Sequence, residues 1–161
     1  MSKSKTGSES AVIAWETMRR RGKPPQFDTS TGEGRVQKHA YKAASAAIGR
    51  ARKKEKDLRS DEEWRCVEEW MLSAPQRIKE NGFICEFSGI KFDVDDDKFK
   101  TKGAGGTHLA PSPDRIDPTK GYFEGNVRWV LWAVNRAKGE MDDELFVDIC
   151  REIVKRYDTK G

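Results

Sequence analysis

At Gly82 the chain changes character, and that boundary limits the fold more than any other feature of the sequence. Upstream, Arg35 to about Lys56 is rich in Ala, Lys and Arg, with Val36, Ala40, Ala43, Ala47 and Ile48 near helical spacing, which predicts a basic amphipathic helix. Ser60 followed three residues later by Glu63 reads as a capping box, opening a helix whose buried stripe is Trp64, Val67, Met71 and Leu72 and which Pro75 interrupts or restarts. Downstream, Phe83–Phe87 reads as a short strand, Ser88-Gly89 as a turn and Ile90–Phe92 as the return. Thr107–Ile116 holds a further strand, which Pro111 and Pro113 confine to a sheet edge or an irregular extended segment. Asn126 is expected to open a helix with Val127, Val130, Leu131 and Val134 on one face. Asp142 is expected to cap a last helix with Phe146, Ile149, Cys150, Ile153, Val154 and Tyr157 as its stripe. Helices first and strands later make this an α+β chain.

Charge is unevenly spread. The formal charge of the 161 residues is only +4, yet Arg35–Lys56 carries eight basic residues against the single acid Glu55. Such a stretch can supply sequence-independent attraction for phosphates or serve as a solvated helix face. The three cysteines, Cys66, Cys85 and Cys150, form no CxxC pair, which argues against a disulfide scaffold and a cysteine-rich zinc site. No apolar run reaches the roughly 20 residues of a membrane span, and no apolar signal core stands at the N-terminus, so no membrane partner and a cytoplasmic location are expected. Residues 1–10 read as a flexible tail, Ala11–Arg21 as a helix ending at the Gly22-Lys23-Pro24-Pro25 breaker, and Phe27–Gly34 as a turn-rich linker. Asp93, Asp95, Asp96 and Asp97 lack the glycine and distal glutamate of an EF-hand and read as a solvated loop. The organisation expected is a tail over 1–10, a basic helical region over 11–80 and a compact domain over 81–161.

Within that last region Asp114-Arg115 is followed by Asn126 after twelve residues, Asn135 after nine more, and Lys138. This pattern resembles the HNH, or ββα-metal, endonuclease family, whose motif is an Asp-His pair ending a strand, an Asn about a dozen residues on, and an Asn or His nine beyond that. Cys85-Glu-Phe-Ser-Gly, then Pro-Ser-x-Asp-Arg-Ile-Asp-Pro-x-Lys-Gly-Tyr and Gly-Asn-Val, looks like a phage and prophage subgroup of it. The resemblance covers about residues 83–148. It implies a ββα-metal core and metal-dependent cleavage of double-stranded DNA, by nicking or double-strand scission, in a phage- or bacterium-encoded protein. One divalent cation, Mg²⁺ or Mn²⁺, would be held by Asp114 and Asn135, and Asn126 would fix the loop through backbone hydrogen bonds. Two separated elements supplying oxygen ligands leave the rest of the coordination sphere open to water and phosphate.

Two positions depart from the family. Arg115 stands where the general base His is expected; a guanidinium has no acceptor and cannot take a proton from water, although it can clamp a phosphate. Candidates for the base are His108, about 20 Å from Asp114 if the segment is extended, and Asp117, which could instead pair with Arg115; His39 in the basic helix ranks below both. At the positions where many members bind a structural zinc stand Cys85, Ser88, Leu131 and Val134, so no structural zinc is expected and ordinary burial replaces it. Arg50, Arg52, Lys53, Lys54, Arg136 and Lys138 are expected to meet DNA, the last two doubling as ordinary helix-end cations. Trp129 and Trp132 read as packing residues. The competing readings are a DNA-binding or structural protein that keeps the ββα scaffold but has lost cleavage, and a basic helical RNA-binding or assembly protein with an unrelated α+β domain; a homodimer is left open.

Overall fold

A computed structural model describes residues 25–55, 59–95 and 107–159. The tail over 1–10, the helix over 11–21, Asp96, Asp97 and the break at 103–106 lie outside the described residues. Five helices and a two-stranded antiparallel sheet are described, an α+β arrangement: α1 Gly32–Lys54, α2 Asp61–Leu72, α3 Ala74–Glu80, β1 Pro111–Arg115, β2 Val127–Leu131, α4 Trp132–Lys138 and α5 Asp143–Asp158.

The helical half follows the sequence closely. α1 begins earlier than its composition suggests, inside the expected linker, because the Thr31 hydroxyl accepts from the Gly34 amide and caps it. A methyl group on Gly34 would sit 1.8 Å from the Asp28 carbonyl oxygen, so this start requires glycine. Ser60 and Glu63 form the capping box of α2, and Pro75 lies in the first turn of α3, where its missing N–H costs nothing. Val36, Ala40, Ala44, Ala47 and Ile48 from α1 join Trp64, Met71, Ile78 and, from β2, Trp129, Val130 and Leu131 in one hydrophobic core. The core therefore crosses the compositional boundary at Gly82. α1 packs against β1 as well as against α2 and α3.

Two secondary-structure expectations after Gly82 are corrected. Phe83–Phe87 and Ile90–Phe92 are not paired strands; a single bridge, Ile84 to Lys91, joins them. Phe83 adopts φ of 60° and its amide donates to the Ile78 carbonyl, closing the end of α3 where a strand would have to start. The second correction concerns Asn126, which precedes a strand and not a helix. Val127–Leu131 pairs with β1 in the register Asp114 opposite Arg128 and Pro111 opposite Leu131, and the helix starts only at Trp132. Short apolar runs satisfy both periods, and here β-branched and aromatic residues with a partner strand decide for β. α4 has no side-chain cap; the Trp132 and Ala133 amides donate to the Ala110 and His108 carbonyls, and Gly139 at φ of 58° ends it.

Asp142 caps α5 as expected, accepting from the Leu145 amide. The expected buried stripe is not buried: among the described residues of α5 only Phe146 is, packed 5.7 Å from the Phe87 ring. Leu145, Ile149, Ile153 and Val154 are between 41 % and 56 % exposed.

Candidate active site

The β1–β2–α4 unit brings Asp114 and Asn135 together although they are 21 positions apart in sequence. Both line a small polar cleft of about 100 Å³, along with Arg50 from α1, Ser112, Arg115 and Tyr122. β1 carries Asp114 near its end, and α4, packed on the sheet, turns Asn135 toward the same strand. The Asn135 amide nitrogen donates to Ser112 Oγ at 2.7 Å and to the Pro113 carbonyl at 2.9 Å. Both donors are thereby spent on β1, which leaves the amide oxygen as the acceptor this side chain offers.

Asp114 is buried, and two cations match its charge. Arg128 faces it across the sheet and donates from Nε at 3.0 Å and Nη2 at 2.8 Å to Oδ2; Lys138 places Nζ 3.3 Å from Oδ1. Arg128 also donates to both carboxylate oxygens of Asp143 in the first turn of α5. Those bonds from Arg128 lower the Asp143 carboxyl below its ordinary value. The four side chains are formally neutral as a set: two carboxylates, one guanidinium and one ammonium. Lys138 is fully buried and donates as well to the Arg115 carbonyl, so it is a structural partner of Asp114 and not the surface DNA contact or solvated helix end expected from sequence. Burial of an unpaired ammonium would be prohibitive, which is why it is tied to the one buried carboxylate within reach.

Asn126 fixes the loop between the strands. Its side-chain oxygen accepts from the Asp117 amide at 2.9 Å, and its nitrogen donates to the carbonyls of Asp117 and Gly121. The buried amide thus closes the 117–126 loop and leaves itself no group for chemistry. Arg115 reaches the Lys120 carbonyl at 3.4 Å and lies over the Tyr122 ring at 5.7 Å, at the cleft wall.

Neither base candidate is placed for the task. His108 does not line the cleft; its ring lies tilted against Trp132 with centroids 5.4 Å apart, before β1 begins. Asp117 accepts from the Thr119 hydroxyl and amide and pairs with Lys120, which lowers its carboxyl to about 2 and makes it a weak base. His39 packs toward β1 through the Pro111 carbonyl, away from the cleft-lining set.

Of the expected DNA contacts, Arg50 is brought to the cleft. Arg52 pairs with Glu68 at 3.3 Å and lies over Trp64, while Lys53 and Lys54 are exposed at the end of α1. Arg136 is exposed over Trp132. Sequence reasoning missed Arg128, Asp143 and Ser112. Reading 127–131 as a strand would have exposed the first, because two-residue alternation separates Arg128 from buried Val127 and Trp129.

The donor set can be tested against the expected metals. Cys85 Sγ accepts from the Ser88 and Leu131 amides at 3.3 and 3.4 Å, so positions 85, 88 and 131 do converge. One thiol, one hydroxyl and two aliphatic side chains do not fit zinc. Asp114 Oδ1, which also accepts from Lys138 Nζ at 3.3 Å, and the Asn135 amide oxygen are hard oxygen donors of the kind a magnesium-type ion takes, with water and phosphate completing its shell. Among the described residues no cluster of three His, Cys, Asp or Glu side chains offers a richer site.

Compared with protein-family models, with curated proteins and with solved structures, the chain matches none. Among the described residues no helix is long and apolar enough to cross a membrane.

Proposed function

We propose that this chain is a metal-dependent DNA endonuclease of the HNH type, hydrolysing phosphodiester bonds at the cleft between β1 and α4. The observation that carries the reading is the convergence of Asp114 and Asn135 from a strand and the following helix on one polar cleft whose wall includes Arg50 and Arg115. Asp114 and Asn135 would hold a Mg²⁺ or Mn²⁺ ion, which when bound supplies positive charge to the scissile phosphate and lowers the pKa of its water. Arg50 and Arg115 clamp the phosphate and offset charge that builds on its oxygens. Arg128 and Lys138 hold Asp114 at the cleft wall, and Asn126 keeps the 117–126 loop closed behind Arg115. Because the four-residue set is already neutral, the phosphate itself contributes to cation affinity, and metal binds more tightly with DNA than without.

No cleft-lining side chain among the described residues is a histidine, and Asp114, the one carboxylate there, is engaged by two cations. The attacking water therefore loses its proton to solvent, and the rate rises with pH through neutrality without the plateau a histidine base would give. Introducing that base tests the point. Arg115→His should bend the pH profile near about 6.5, while loss of the Arg115 phosphate contact lowers the rate on the acid side of that bend. A profile unchanged in shape would show that position 115 does not face the attacking water.

A second reading, a ββα scaffold that binds DNA without cutting it, draws on the same pairing of Asp114 with Arg128 and Lys138 and on Arg115 at the base position. Plasmid nicking with Mg²⁺, Mn²⁺ or chelator separates the two. Retained DNA binding with no metal-dependent nicking supports the second and overturns the first.

A further inference from the structure

α5 leaves the body of the protein after its second turn with an apolar face that the rest of the described chain does not cover. Leu145, Ile149 and Ile153 recur every four residues and are 50 %, 41 % and 52 % exposed. On a helix that spacing makes one continuous stripe, and three large aliphatic side chains half in water are costly for a charged, otherwise polar chain. The charge along the helix is divided. Asp143, Glu144 and Asp148 occupy its N-terminal half, with Asp142 as its cap and no base among them, whereas Arg151, Lys155 and Arg156 fall in the second half with Glu152 and Asp158; within the helix Arg151 pairs with Asp148 and Lys155 with Glu152.

We propose that this face is the interface of a homodimer in which α5 pairs antiparallel with α5 of a second copy. An antiparallel pairing sets the acid-only half of each helix against the half of the other that carries its three bases; a parallel pairing would lay the two acid-only halves side by side. A twofold axis near position 151 brings Ile149 against Ile153 of the other copy, so the stripe is complementary to itself, as an isologous interface requires. The same axis sets Asp148 beside Arg156 of the other copy at the edge of the apolar contact. Since Asp143 in the first turn holds Arg128, the dimer helix is anchored directly to the charge set that fixes Asp114. The proposal does not depend on the catalytic reading, because assembly is measured without DNA or metal.

Sedimentation equilibrium of the full chain at low salt tests it. Wild type should show a concentration-dependent monomer–dimer equilibrium in the micromolar range. Ile149→Asp and Ile153→Asp, both at exposed positions that leave the core intact, should weaken the dimer more than about 100-fold with the circular dichroism spectrum preserved. Asp148→Arg and Arg156→Asp should each weaken it, and the two together should restore it, since the swap exchanges the partners. A chain that stays monomeric at every concentration overturns the proposal, as does a dimer that survives either aspartate substitution. A double swap that fails to restore association overturns the antiparallel arrangement.

Discussion

Asp114 is the residue on which the site turns, and its neighbours define what can be changed around it. Arg128 and Lys138 are 13 % and 0 % exposed at their side chains, and Asp114 is 3 % exposed, so this is an ion set removed from water, where deleting one partner strands the others. Arg128→Ala should cost about 3 kcal/mol in urea denaturation; a loss under about 1 kcal/mol would mean that Asp114 is hydrated in solution. Asp114, Asn126 and Asn135 stood out in the sequence because their intervals resemble the HNH motif, and the structure brings Asp114 and Asn135 to one cleft with Asn126 closing the adjacent loop. Arg128 was not, because its role follows from facing Asp114 across the sheet, and register appears in no local pattern. Lys138 was legible as a position but not in its role, since a lysine near a helix end is ordinarily solvated.

At the scale of elements, the helices announced themselves through caps and periodicity: Ser60 with Glu63, Pro75 in the first turn of α3, Asp142 before α5. Of the strands, β1 lies within the extended segment expected over 107–116, whereas residues 83–92 and 127–131 differ from expectation, for different reasons. Residues 83–92 contain strand-forming types, but the left-handed Phe83 that closes α3 and the turn at Gly89 leave room for one bridge. Residues 127–131 satisfy helical and strand spacing alike until β1 is placed beside them. The contact of α1 with β1 carries a pH dependence. Burial, and then Lys42, lower the His39 imidazole pKa below 6.5, opposed by the nearby Pro111 carbonyl. The folded chain thus binds fewer protons at His39 than the unfolded chain does below about pH 6.5. Stability is full above that value and falls as the pH drops through the window beneath it. Melting temperature between about pH 7 and pH 5 should decline in wild type and decline less in His39→Gln, whereas the lowered carboxyls, Asp143 among them, act only near and below about pH 4. Equal slopes in both proteins would remove His39 from the account.

Across the whole molecule, one core joins the basic helical region to the ββα unit, so Arg50 on α1 is a fixed wall of the cleft and not an appendage that finds DNA independently. Composition separated the two regions at Gly82 because it records which elements form, not which faces they share. Asp114 and Asn135 are proposed to present a divalent cation to a phosphodiester held by Arg50 and Arg115. Supercoiled plasmid incubated with Mg²⁺, Mn²⁺ or chelator, with wild type and Asn135→Ala compared at equal DNA occupancy and matched melting temperature, tests it most directly. The account predicts nicking by wild type that needs the metal and falls at least about 100-fold in Asn135→Ala. Cleavage that persists in chelator, or is unchanged by Asn135→Ala, would contradict it.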